Sequence, residues 1–156
     1  MATAFEDLRI LQSAEGCADQ IWKQVVQWDE FARDVVGKQM ARATDSIGAN
    51  IAESFGRYNF GEKLQFLYYA RGSLFETKYW LNRAKTRELM PSSDVQEYIS
   101  RLTDIAKQLN AFAESLKSQR SGGKTIRELA AEYKVDLADD IPETLFDESD
   151  LAWLQS

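Results

Sequence analysis

Histidine is absent from the chain. Its absence removes the commonest general base near neutral pH, the Ser–His and Cys–His nucleophile systems, and the commonest transition-metal ligand. Carboxylate-only chemistry survives that loss, so an enzyme is disfavoured without being excluded. A single cysteine, Cys17, leaves no intrachain disulfide and no cysteine-built metal site. Only 2 prolines and 8 glycines occur in 156 residues, and no β-branched alternation is sustained, which favours long helices over sheets. No apolar run approaches the roughly 18 residues of a membrane span. The first residues, Met1 to Asp7, lack the basic-then-apolar order of a signal peptide. A cytoplasmic protein that does not engage membrane is the expectation.

What is present suits one well-filled domain, with 44% hydrophobic and 12% aromatic residues. The net charge of -6 is unevenly placed. Residues 1–121 hold 16 basic and 16 acidic side chains, whereas residues 122–156 hold 3 and 9. A neutral body therefore carries an acidic tail.

Apolar spacing marks four long helices. The first runs from about Ala4 to Trp28 on Phe5, Leu8, Leu11, Ala18, Ile21, Trp22 and Val25. The second runs from about Phe31 to Phe55 on Val36, Met40, Ala43, Ile47 and Ile51. Gly56 to Gly61 reads as a turn. The third segment, from about Glu62 to Leu89, carries two stripes on different faces. One is Leu64, Leu67, Tyr68, Leu74, Phe75 and Leu81; the other is Phe66, Ala70, Ser73, Thr77, Trp80 and Ala84. Either the second stripe meets another subunit, or the helix sits centrally with both sides buried. Pro91 ends this helix, and Ser92, Ser93 and Asp94 offer caps for the fourth. That helix has an unbroken stripe from Val95 to Leu116. Short loops then predict an up-down-up-down four-helix bundle over residues 1–120. Residues 121–156 form a linker and an acidic extension, with a capping box at Thr125 and Glu128 opening a short helix.

Polar residues recur at helical spacing from Gln39 to Arg57, and again at Arg71, Ser73 and Glu76. Glu53 and Glu76 are the one pair that acid–base or metal chemistry would use, but metal bundles of this kind rely on Glu-x-x-His. The structural alternative has Asn50, Glu53, Arg71 and Glu76 satisfying one another across helices. A basic run, Arg71, Lys78, Arg83, Lys85 and Arg87, with Arg42 and Arg57 as additions, is either a phosphate-binding patch or a solvated face. In the tail, Phe146, Leu151, Trp153 and Leu154 are either anchors for a partner's groove or a cover for the chain's own bundle.

The stretches Gln39–Arg57, with Q-x-x-R-A-x-x-S-I-x-A-N-I-A-E followed by G-R, and Phe66–Thr77, with F-L-x-x-A-x-G-S-L-x-E, resemble a known family. It comprises four-helix-bundle proteins encoded in ribosomal RNA intervening sequences, and it includes the accessory variability protein of diversity-generating retroelements. The resemblance implies a ring-like homopentamer. In the retroelement branch it implies binding of reverse transcriptase and nucleic acid through a basic surface, which would fall on Arg42, Arg57 and Arg71. The usual Gly after N-I-A-E is Ser54 here, and the acidic tail lies outside the shared region. The expected function is a non-catalytic, self-assembling scaffold or adaptor for a protein or nucleoprotein partner, with no cofactor or metal. The competing expectation is an accessory protein that binds RNA or DNA. Gln39, Arg42, Ser46, Asn50, Glu53, Arg57, Arg71, Ser73 and Glu76 are its expected structural and interface residues.

Overall fold

The computed structural model describes residues 2–121 and 144–156 together with Glu128 and Ala131, with side chains from Arg9 to Ser118 in the bundle. Gly122 and Gly123 of the predicted linker and Thr125 of the predicted capping box lie outside the described residues, as do the side chains of Phe5 and Leu8. All described elements are helical: α1 (Ala2–Val25), α2 (Glu30–Ala32), a π-helical stretch (Arg33–Gly37), α3 (Lys38–Gly56), α4 (Phe60–Thr86), α5 (Ser92–Ser121) and α6 (Glu148–Gln155). Among the described residues no helix is long and apolar enough to cross a membrane.

Helix α3 packs on α4, α4 on α5, α5 on α1 and α1 on α3, which closes a ring of four long helices. Short connections make consecutive members antiparallel. The core collects Ile10, Ala14, Cys17, Ile21 and Val25 from α1, Met40, Ile47 and Ile51 from α3, and the whole Val95–Leu116 stripe of α5. Cys17 lies fully inside, and burial pushes its thiol up to about 11, with Arg101 opposing weakly. A thiol held protonated in this way is no nucleophile at neutral pH. The sequence pattern errs at Trp22, expected on the buried face of α1 but 57% exposed, because Ile21 and Val25 take the core positions of that turn.

Local chemistry sets the helix ends. Asp29 caps α2 by accepting from the Ala32 N–H at 2.9 Å, and Asn59 caps α4 by accepting from the Glu62 N–H at 2.8 Å. The second turn is therefore shorter than the two glycines suggest. Phe60 and Gly61 belong to α4, and Phe60 is buried. The predicted cap Asp94 instead accepts from Gln24 Nε2 at 3.2 Å, tying α5 to α1.

The π-helical stretch ends at Gly37, where α3 approaches the end of α1. A Cβ on Gly37 would stand 2.5 Å from Val25 Cγ1 and 3.5 Å from Trp28 Cε3. Valine is stiff about χ1 and cannot withdraw that methyl cheaply. Gly37→Ala is expected to destabilise the fold by about 1–3 kcal/mol through overpacking, despite alanine's better helix propensity. Urea denaturation followed by circular dichroism checks this; an unchanged or higher midpoint would contradict it.

Candidate functional site

Three faces of α4 meet three different surroundings. At about 100° per residue, Leu67, Ala70, Leu74, Thr77, Leu81 and Ala84 share one face, and all are buried. The small residues of the second stripe, Ala70, Thr77 and Ala84, are thus internal, packed within the chain's own bundle. Phe66, Ser73 and Trp80 of that stripe stay partly exposed. Together with Tyr69 and Glu76 they line an outward face that falls within about 80° on the helix.

On α3 the motif residues Gln39, Arg42, Ser46, Asn50 and Glu53, with Arg57 at its C-cap, follow steps of three and four. They form a second outward line, exposed or partly exposed throughout. The two lines join where Ser73 Oγ lies 3.0 Å from Ser46 Oγ. Asn50 Nδ2 donates to the Ser46 carbonyl at 2.9 Å and approaches its hydroxyl at 3.1 Å. Beneath this seam the buried hydroxyls of Thr44 and Thr77 lie 3.5 Å apart, each donating to its own helix, to Met40 O at 2.7 Å and Ser73 O at 2.8 Å. Tyr69, 49% exposed, lies on the face of Ser73, whereas Tyr79, 52% exposed, lies further round the helix and meets Trp80 edge-on.

Asn50, Glu53, Arg71 and Glu76 do not satisfy one another across helices as expected. Arg57 Nη2 donates to Glu53 Oε2 at 3.1 Å on the same helix and its guanidinium covers the Phe66 ring at 4.6 Å. Glu76 Oε2 accepts from Trp80 Nε1 at 3.2 Å, again one turn away. With antiparallel helices in register at Ser46 and Ser73, Glu53 and Glu76 fall about 15 Å apart along the bundle. That separation is too wide for a carboxylate pair sharing a proton or an ion. No cluster of three or more acidic, histidine or cysteine side chains suited to a metal occurs among the described residues.

The third face of α4, Arg71, Phe75 and Lys78, is covered by residues 144–156. Arg71 Nε donates to the Leu145 carbonyl at 2.6 Å, and its Nη2 reaches Asp150 Oδ1 at 3.3 Å. Its guanidinium also lies over the Phe75 ring at 4.7 Å. Phe75 stacks on Phe146 and on Trp153, with centroids 6.0 and 5.1 Å away. From α5, Asn110 pairs with the Phe146 backbone in both directions, accepting its N–H at 2.9 Å and donating to its carbonyl at 2.8 Å. Asp147 and Asp150 form a reciprocal capping box at the start of α6. Leu145, Phe146 and Leu154 are buried and Leu151 packs against the core. Of the two roles open for Phe146, Leu151, Trp153 and Leu154, this structure shows the cover.

The basic run is thereby broken up. Arg71 holds the tail, Arg57 pairs with Glu53, and Lys78 is wholly buried beneath Trp153, whose ring lies 5.5 Å from its Nζ. Lys78 Nζ has no hydrogen-bond partner among the described residues. Burial, with a smaller contribution from Lys85, pulls its pKa below the ordinary lysine range. Arg42, Lys85 and Arg87 remain exposed and Arg83 partly so. The residue missed in the sequence is Asn110, a polar position beside the apolar stripe of α5 with nothing local to reveal its backbone partner.

These features define an all-α antiparallel four-helix bundle with an additional C-terminal helix docked on α4 and α5. The model of the 23S rRNA-intervening sequence protein family matches residues 6–111, and the chain belongs to that family. A solved structure of similar fold is a protein with unknown function from the S23 ribosomal protein family of Bacteroides thetaiotaomicron. It is 24% identical, with a TM-score of 0.65, and the match covers 70% of this chain and 98% of that one. No curated protein matches the sequence.

A buried ammonium without a hydrogen-bonding partner opposes folding. Lys78→Met, similar in volume, is therefore expected to raise stability at neutral pH by about 1–2 kcal/mol. Thermal melts at pH 7 test this, and a lower melting temperature would show that the lysine is stabilising where it stands.

Proposed function

We propose that the chain is a non-catalytic scaffold that self-assembles, as a homopentamer, through the outward seam of α3 and α4, and holds a protein or nucleoprotein partner in the cytoplasm. One observation carries this reading. The family motif divides into residues that the bundle's own core explains, such as Ile47, Ile51, Leu67, Ala70 and Leu74, and the outward line from Gln39 to Arg57, which stays exposed or partly exposed outside that core. Its polar hydroxyl and amide centre, flanked by Tyr69 and Trp80, has the polar-and-aromatic character of protein interfaces. The alternative, an accessory protein that binds nucleic acid, keeps four of its seven cations, Arg42, Arg83, Lys85 and Arg87.

Light-scattering mass across a gel-filtration peak, read at 260 and 280 nm, tests the proposal. Five copies of 17.8 kDa predict about 89 kDa without excess absorbance at 260 nm. Tyr69→Glu, a change at an exposed position, is expected to reduce the mass to that of one chain while the helical signal persists. A wild-type mass of 17.8 kDa at tens of micromolar would overturn self-assembly. Excess absorbance at 260 nm that Arg83→Glu, Lys85→Glu and Arg87→Glu remove would favour the nucleic-acid reading.

A further inference from the structure

We infer that the α4–α5 groove lined by Arg71, Phe75, Lys78 and Asn110 is a peptide-docking site. In this form the chain's own residues 144–156 occupy it as an exchangeable ligand. Its other occupant is an acidic–aromatic helical segment of a partner protein, one that brings a carboxylate to Lys78. This deepens the adaptor reading and rests on it, by naming the chemistry of the partner and the place where it binds.

The contacts of residues 144–156 are those of a short linear motif. Backbone groups are read at Leu145 and Phe146, two aromatic rings stack on Phe75, and one carboxylate, Asp150, meets one guanidinium. The hold is partial, since Trp153 stays 40% exposed.

Lys78 supplies the independent observation. A segment that served only to seal Phe75 would be better served by an apolar residue at position 78, which would remove the cost of an enclosed ammonium. Instead the ammonium faces the docked segment, which answers it with the face of the Trp153 ring at 5.5 Å and with no carboxylate or other hydrogen-bonding group among the described residues. The groove is thus cationic at two points, Arg71 and Lys78, and its present occupant answers only the first with a carboxylate.

The test uses the full chain carrying Phe146→Ala and Trp153→Ala, which removes the tail's anchors and leaves the groove untouched. Two fluorescein-labelled synthetic peptides serve as probes: residues 144–156 as they stand, and the same peptide with Trp153→Glu, which sets a carboxylate opposite Lys78. Fluorescence anisotropy should show the natural peptide binding the released chain, the glutamate peptide binding it with a Lys78 ion pair in place of the Phe75 stack, and each binding the intact chain more weakly because its own tail competes. Adding Lys78→Met should weaken the glutamate peptide by about tenfold or more and the natural peptide, which loses only the indole contact, by clearly less, while Lys78→Arg should retain the glutamate peptide. Absence of binding to the released chain, equal binding to the intact chain, or indifference of the glutamate peptide to Lys78→Met would each overturn the inference. Should the double variant lose its helical signal, Asp150→Arg, which sets a cation against Arg71, opens the tail instead and carries the same expectations. The groove lies on the side of α4 roughly opposite the seam, so this titration and the mass measurement fail independently.

Discussion

The close approach of α3 to α4 is the constraint on which the rest of the molecule depends. It is permitted by small side chains, Ala43, Thr44, Ala70, Thr77 and Ala84, all buried. Larger residues there would separate the helices and part Ser46 from Ser73, whose hydroxyls lie 3.0 Å apart at the surface. The same packing fixes the rotation of α4. With Ala70 and Thr77 turned towards α3, helical geometry places Tyr69, Ser73 and Glu76 outward and Arg71, Phe75 and Lys78 towards α5. One contact therefore orients the seam, the core and the groove together.

That triple duty explains how much of the fold the sequence discloses. Helix α5 buries a single face, and its Val95–Leu116 stripe can be read directly. The motif stripe of the second segment, Val36, Met40, Ala43, Ile47 and Ile51, is likewise buried as spaced. Helix α4 is apolar on more than one side, so periodicity finds its stripes without saying which covers which. The assignment is made by partners far along the chain. Arg71 looks like a phosphate ligand in the sequence, yet its closest contact is the carbonyl of Leu145, a group that no side-chain pattern displays. Lys78, two turns away, reads as the next charge of a solvated run until the tail folds over it. The signal available for α6 was Asp147 with Asp150 ahead of Leu151, Trp153 and Leu154, a reciprocal cap before apolar anchors.

The family match ends at residue 111, while the docked segment begins beyond it. The shared part of the chain holds the bundle and the outward seam; the part outside the match holds the acidic excess and the groove's occupant. In the proposed function this becomes a division of labour. Assembly belongs to the motif helices, and partner choice belongs to the groove and to the segment that now fills it.

Hydroxyl-radical footprinting read by mass spectrometry, at protein concentrations on either side of assembly, tests the central claim most directly because it reports which side chains become covered. The seam account predicts that oxidation of Tyr69, about half exposed in the single chain, and of the partly exposed Trp80 falls as copies associate, while Trp22 and Trp153 react as before. Unchanged oxidation of Tyr69 and Trp80 in an assembled sample, with Trp22 or Trp153 protected instead, would place the contact elsewhere and contradict it.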